Sequence, residues 1–254
     1  MERIFLTGAS SGIGAALARQ YAARGARLGL VARSEFALRE LADSLDCECI
    51  VFPANVDNSD DIQRAAEQFL ARFGAPDIVI ANAGISHGTA TEHAADIATF
   101  AEIMDINVVG MVRTFQPFVA AMRDAKQGIL AGMASVAGFR GLPGAGAYSA
   151  SKAAAIAYLE SLRVELHGSG VSVVTLCPGY MHTPMTAKNS YAMPFIMPAE
   201  LAAKKIISAI DARRTFYVFP WQMAWIGKLM RLMPNHLYDT LAAKSGRKPR
   251  KNPY

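Results

Sequence analysis

The run Arg3-Ile4-Phe5-Leu6-Thr7-Gly8-Ala9-Ser10-Ser11-Gly12-Ile13-Gly14-Ala15 opens the chain, and its reading decides the fold. A short apolar stretch breaks into glycines and passes at once into an alanine-rich helical pattern that reaches Ala23. A pyrophosphate needs bare backbone N–H groups and a helix N-terminus pointed at it. Glycines allow the turn, the close approach of the phosphate and the packing of helix on strand. Gly-rich turns often serve packing alone, so a glycine triplet by itself says little. Here it follows a first strand and opens a helix, which is the context that gives it meaning. Gly8, Ser10, Ser11, Gly12, Ile13 and Gly14 are therefore expected to cradle a dinucleotide.

Outward from that loop, apolar runs alternate with helical patterns. Strands are expected at Arg3–Thr7, Arg27–Ala32, Cys49–Phe52, Ile78–Ala81, Gly128–Met133, Val171–Cys177 and Phe216–Phe219. Helices are expected near 12–24, 35–44, 58–72, 97–123, 149–167 and 199–212. Strict alternation implies right-handed crossovers and a parallel sheet covered on both faces. Val171-Ser172-Val173-Val174-Thr175-Leu176 suits a strand buried on both sides. Asn58 and two acids mark one helix start, with Gly74 past its end; Gly168 and Gly170 close another helix. The fold class is α/β, a doubly wound parallel sheet of the Rossmann kind. It forms a single domain over 1–219 with a helical extension and basic tail at 220–254.

The bulk composition agrees. Of 254 residues, 52% are hydrophobic and 19% charged, enough for an ample core and too apolar for disorder. Three cysteines make no disulfide framework, and no further ligands at suitable spacing suggest a metal site, so none is expected. A reducing, cytoplasmic setting is the simpler expectation. No basic segment followed by a long apolar stretch marks a secretory signal, and no stretch reads as a spanning helix. The net charge of +5 resides in the tail, at Lys244, Arg247, Lys248, Arg250 and Lys251; without them acids and bases balance. Such a tail can meet a membrane surface, nucleic acid or an acidic partner, or only aid solubility; no nucleic-acid partner is expected.

Tyr148-Ser149-Ala150-Ser151-Lys152 places a phenol and an ammonium on one helix face. A phenol near pKa 10 is a poor acid–base catalyst at neutral pH, and a nearby ammonium favours its phenolate. Such a group suits carbonyl reduction, where an alkoxide must receive a proton. Tyr-x-x-x-Lys alone is common on amphipathic surfaces. Its context here adds Ser135 at the end of the fifth strand, able to hold a substrate oxygen, and Asn107 in mid-helix, where a polar side chain can kink the helix or carry a water.

Thr7-Gly8-x-x-x-Gly12-x-Gly14, together with these residues, resembles the short-chain dehydrogenase/reductase family over about Glu2–Phe219. The resemblance implies an enzyme working through Asn107, Ser135, Tyr148 and Lys152. By it Lys152 also grips the nicotinamide ribose, and Asn107 joins a proton relay through water. Asn82-Ala83-Gly84 stands where the family has Asn-Asn-Ala-Gly, with Ala81 in place of the first Asn. Asn55-Val56 stands where relatives place Asp-Val beside the adenine. Cys177-Pro178-Gly179-Tyr180-Met181-His182-Thr183 matches the family's Pro-Gly turn, with Thr183 near the carboxamide. At the end of the second strand NAD enzymes offer an acid to the ribose 2′-hydroxyl. This chain has Arg33, which cannot accept those protons but binds a 2′-phosphate, so NADP(H) is expected.

The expected activity is thus NADP(H)-dependent reduction of a small-molecule carbonyl, or the reverse oxidation. Two alternatives are an NAD-dependent alcohol dehydrogenase and a non-catalytic dinucleotide-binding or sensing protein. Substrate choice is expected in 179–198. Met181, Met185, Tyr191, Met193, Phe195 and Met197 there either mould to a bulky, lipid-like substrate or pack the lid on the body. His87 either faces the substrate or is a plain loop residue. A homodimer or homotetramer through the long helices is implied by the resemblance. Trp221–Met233 reads as an amphipathic helix with Trp225, Ile226, Leu229, Leu232 and Met233 on one side and Ala224, Gly227, Lys228 and Arg231 on the other. Asn235 is expected to cap a short second helix. Either the helix and its basic tail lie on an anionic membrane surface, or the helix covers the cleft or a subunit interface while the tail stays solvated.

Overall fold

A computed structural model describes residues 1–251. Its strands are β1 (Arg3–Thr7), β2 (Arg27–Ala32), β3 (Cys49–Pro53), β4 (Ile78–Ala81), β5 (Gly128–Met133), β6 (Val171–Pro178), the two-residue β7 (Met181–His182) and β8 (Met197–Pro198), and β9 (Phe216–Phe219). A seven-stranded sheet runs in the order β3-β2-β1-β4-β5-β6-β9, with every neighbouring pair parallel. β7 and β8 pair with each other outside it. The helices are α1 (Gly12–Ala22), α2 (Glu35–Asp43), α3 (Ser59–Phe73), α4 (Asp96–Met104), α5 (Gly110–Asp124), α6 (Gly146–Glu165), α7 (Ala199–Asp211), α8 (Trp221–Leu232) and α9 (Asn235–Ala242).

The alternation of β1 shows how one strand feeds two cores. Ile4 and Leu6 face a layer with Leu17 and Tyr21 of α1, Leu38 of α2 and Ile206 and Ile210 of α7. Phe5 points the other way, into a layer with Phe69 of α3, Phe118 of α5 and Leu159 of α6. Side chains alternate across a strand, so a run apolar at every position must be covered on both faces. The second layer is built on aromatic rings. Phe5 lies 4.7 Å from Phe118 and 5.5 Å from Phe69, centre to centre, in tilted and edge-on arrangements.

The helix expected at 97–123 is one continuous rod with a fault in it. Between α4 and α5 the chain widens into a π-helical turn at Asp105–Val109. Asn107 sits inside that turn, and such turns inside α-helices mark functional sites. Asn58 caps α3 as expected, its Oδ1 accepting from the Asp60 and Asp61 N–H groups at 3.0 and 3.4 Å.

The extension at 220–251 packs onto this body, with three departures from expectation. In α8 the buried residues are Met223 and Gly227, and Gly227 lies directly on the Phe139 ring. Of the side expected to be polar, Gly227 faces the protein, while Lys228 and Arg231 stay exposed. Trp221, Trp225, Leu229 and Leu232 face outward, at 68, 66, 64 and 83% exposure. A close helix crossing needs a small residue more than an apolar one, and Gly227 supplies it. Asn235 does not cap α9: its Oδ1 accepts from Arg140 Nη2 at 3.1 Å, and Pro234 precedes the first turn. The described part of the basic tail, expected to be solvated where the helix packs, is instead laid against the body, held by Arg250 on Asp96 and Lys251 on Glu102. The expected tail's last three positions, 252–254, lie outside the described residues. No helix among the described residues is long and apolar enough to cross a membrane.

Candidate active site

The carboxyl ends of β1, β2, β4, β5 and β6 open into one cleft of about 540 Å³. A crevice outside the carboxyl ends of the strands, where the sheet order reverses, is the ligand site of this architecture. Every residue singled out from the sequence as a cofactor or catalytic candidate lines it, except Gly14 and Asn107. Those two stand one layer behind, and their positions explain why.

Gly14 is pressed against the backbone that carries Gly8. A Cβ at Gly14 would lie 2.0 Å from the Gly8 carbonyl oxygen, so no other residue fits there. The turn can thus fold flat against the first coil of α1 and present N–H groups to the cleft. Thr7 fixes the other side. Its Oγ1 accepts from the Asn82 and Ala83 N–H groups at 3.2 and 3.3 Å, while Asn82 Nδ2 donates to the Thr7 and Gly8 carbonyls, both at 3.1 Å. Such a cradle fits a dinucleotide pyrophosphate. Arg33 follows β2 at the rim, exposed and without an ion pair among the described residues. Asn55 and Val56 follow β3 at the same end of the cleft.

Asn107 acts as a pin. Its Oδ1 accepts from the Ile85 N–H at 2.8 Å, and its Nδ2 donates to the Ile85 carbonyl and to Ser151 Oγ, both at 3.0 Å. Ser151 Oγ in turn donates to the Tyr148 carbonyl at 2.8 Å. The loop after β4, the π-helical turn and the first coil of α6 are thereby joined. Ser151 is fully buried and was not singled out from the sequence; only its place between Tyr148 and Lys152 hinted at it.

Lys152 is 5% exposed and donates to the Met133 carbonyl at 2.7 Å. Burial lowers its pKa to about 8. Its Nζ lies 5.7 Å from the centre of the Tyr148 ring. Burial pushes the Tyr148 phenol upward, and the Ser135 hydroxyl works against that by stabilising the phenolate. Ser135 is held in place from two sides, donating to the Pro178 carbonyl at 3.4 Å and accepting from the Ala137 N–H at 3.2 Å. The ammonium, phenol and hydroxyl thus share one cleft wall beside the glycine cradle. That arrangement can orient an oxygen, donate a proton to it and stabilise the charge left behind.

The lid divides its methionines. Met181 and Met197 pair across β7 and β8 and are buried, Met181 also reaching the cleft, whereas Met185 is 38% exposed and lines it. Thr183 holds Thr186 through its backbone and hydroxyl at 3.1 and 3.2 Å, and its methyl group faces Gly12 across the cleft.

A glycine-cradled cleft at the switch point of a doubly wound sheet, with Tyr, Lys and Ser on one wall, defines a dinucleotide-binding oxidoreductase. A match to the short chain dehydrogenase family spans residues 2–193, and the chain belongs to that family. It is an enzyme acting on CH–OH and C=O groups with NAD(P). An uncharacterised oxidoreductase of Myxococcus xanthus (strain DK1622) is 36% identical over 242 residues, covering 94% of this chain and 95% of that protein. An 11-beta-hydroxysteroid dehydrogenase A of Arachis hypogaea is 38% identical over 187 residues, 72% of this chain and 53% of its own length. The chain thus matches about half of that plant protein. Among solved structures, an alcohol dehydrogenase from the archaeon Thermococcus sibiricus, complexed with 5-hydroxy-NADP, superposes with a TM-score of 0.76. It is 26% identical, over 86% of this chain and 96% of that one.

Proposed function

We propose that the protein reduces a ketone or aldehyde with NADPH, the carbonyl being bulky or lipid-like, with the reverse oxidation open to it. The observation that carries this is the meeting of Tyr148, Lys152 and Ser135 on one wall of the cleft that the glycine loop and Arg33 enter from the other end. When bound, the nicotinamide supplies hydride to the carbonyl carbon. Ser135 holds the carbonyl oxygen, and Tyr148 gives that oxygen its proton. Lys152, charged at neutral pH, stabilises the phenolate that remains and meets the nicotinamide ribose. Asn107 holds the wall together through Ile85 and Ser151. Arg33 takes the 2′-phosphate; a guanidinium is a poor partner for a free 2′-hydroxyl, which favours NADPH over NADH. Gly8 to Gly14, Asn55, Val56, Asn82, Ala83, Gly84, Pro178, Gly179 and Thr183 form the rest of the cofactor wall. The exposed Met185 supports an apolar substrate, since methionine adapts to irregular shapes.

The test is cofactor consumption by the purified protein, setting NADPH against NADH over ketones and aldehydes of graded chain length. Tyr148→Phe is run alongside; it should keep NADPH binding and lose at least ~100-fold in turnover, the scale of lost general acid catalysis. Turnover near that of the unaltered protein in this variant would remove Tyr148 from the chemistry.

We further propose that the outward face of α8 rests on an anionic membrane surface. Support comes from Trp225, Leu229 and Leu232 standing exposed beside Lys228 and Arg231. For self-association through the long helices, support comes from Ile97 and Phe100 of α4 and Val164 of α6, at 71, 42 and 64% exposure.

A further inference from the structure

After α9 the chain turns back across the substrate end of the cleft. Gly246 packs on Tyr191 of the lid, and Arg247 lies against Gly144 in the loop before α6. The Pro249 carbonyl accepts from the Gly88 N–H at 2.8 Å. Arg250 grips Asp96 through Nε at 2.8 Å and Nη2 at 3.2 Å, and Lys251 meets Glu102 at 2.5 Å. Asp96 is 3% exposed and also accepts from the Ala90 N–H at 2.8 Å, so its carboxylate is spent on holding this segment and its groove. The groove is shaped for its occupant. A Cβ at Gly88 would lie 2.1 Å from the Lys248 carbonyl oxygen, so the position must be glycine for the strap to seat.

This strap delivers one side chain to the reacting centre. Lys248 Nζ lies 5.7 Å from the centre of the Tyr148 ring, as near as Lys152. Its two basic neighbours, Arg250 and Lys251, are each paired with an acid. Lys248 has no such pair among the described residues, and burial, not a neighbouring acid, sets its charge balance. The surroundings are basic too. Burial and the charges of Lys251, Lys248 and Lys188 all hold His87 below its ordinary pKa. Glu102 alone opposes them, and it is already bound to Lys251. Burial lowers Lys248 itself to about 8, so at neutral pH it is a charged group lacking a counter-ion among the described residues. A half-buried ammonium in that state attracts an anion. An arginine fork matches carboxylate and phosphate alike, whereas a lone ammonium supplies one compact charge, which balances a singly charged carboxylate but not a phosphate dianion.

We propose that residues 244–251 form the substrate-side wall of the active site, and that Lys248 is its specificity-determining residue. Lys248 binds the carboxylate of an oxo acid whose carbonyl faces Tyr148. The proposal rests on Tyr148 serving a carbonyl substrate, and it adds the class of that substrate: a carbonyl compound carrying a carboxylate a few bonds away, with an apolar remainder toward Met185.

The test uses the full chain with NADPH and pairs of 2-oxo and 4-oxo acids of graded length against their methyl esters. The unaltered protein should prefer an acid to its ester by at least about tenfold in kcat/KM, the scale of one charged hydrogen bond. The preference should lie in KM. Lys248→Gln should bring the acid-to-ester ratio close to one, and Lys248→Arg should keep most of it. Equal use of acid and ester by the unaltered protein overturns the assignment of Lys248 while leaving carbonyl reduction standing. So does a preference that survives in Lys248→Gln. A Lys248→Gln variant that loses acid and ester alike, with its pH profile displaced upward, also overturns it and assigns the charge to the phenol. Failure to reduce either member of every pair, or any neutral ketone, removes the carbonyl reading and this inference with it.

Discussion

At the scale of single residues, the site sets charges where folding alone would not leave them. Lys152 shows the cost. Its folded pKa is about 8 against an ordinary 10.5. Between those values the unfolded chain holds a proton that the folded one lacks, so stability from this group rises with pH across that window. Below pH 8 both forms are protonated and the whole penalty stands, about 3 kcal/mol at pH 7. Lys152→Met keeps the length and drops the charge. The cofactor-free variant should melt at or above the unaltered protein at pH 7, and the gap between them should close as pH approaches 10. Thermal melts at both pH values check this, and a variant that melts well below at pH 7 would make the ammonium a net stabiliser. Arg33 makes a different prediction. Arg33→Ala should weaken NADPH binding by roughly 1.5–3 kcal/mol, as for a charged hydrogen bond, and barely alter NADH. Titrating both cofactors by fluorescence decides it; equal losses would make Arg33 structural. These residues were legible because each carries its chemistry in its own side chain at a fixed distance from a strand end. Ser151 was not, since its contribution is a bond to Asn107 from a distant helix.

At the scale of elements, the strands and helices lie within a few residues of where periodicity puts them, because runs apolar at every position have few other uses. The interrupted helix is the instructive case. Asn107 in mid-helix hinted at a disturbance, yet the π-helical turn needs Ile85 and Ser151 in place to satisfy the amide, and no local pattern contains them. The turn should therefore depend on that side chain. Asn107→Leu would leave the Ile85 N–H and carbonyl without partners in a buried place and take from Ser151 Oγ its donor, at about 2–3 kcal/mol. Urea denaturation should show that loss with an unchanged slope, and an undiminished midpoint would mean the helix backbone holds the turn unaided. Which part of helix α8 meets the body stayed open in the sequence for a related reason. Hydrophobicity says which residues are apolar; it does not say that Phe139 waits opposite a glycine.

At the scale of the whole molecule, the extension at 220–251 has two sides with separate uses. Its outward apolar face, with Lys228 and Arg231 exposed beside it, is the part left for a lipid surface. Each such charge near anionic lipid is worth ~1 kcal/mol. The full chain should therefore co-sediment with phosphatidylserine vesicles at low salt, and Trp225→Ser with Leu229→Ser should abolish it. Full-chain protein that stays in the supernatant at low salt would end the membrane proposal. Ending the chain at Phe219 is a poorer comparison, since it also strips the wall from the cleft. Nothing within 244–251 foretells where that segment lies, because its seat is spread over Gly88, Asp96 and Gly144. Such a seat has a historical consequence. Strap and groove can drift only together, so across relatives that keep the tail, an acid at the place of Asp96 should appear and vanish with an arginine at the place of Arg250. Any bulk gained at the place of Gly88 should be found only in lineages whose tails have gone elsewhere, and those lineages are the ones to expect acting on uncharged substrates.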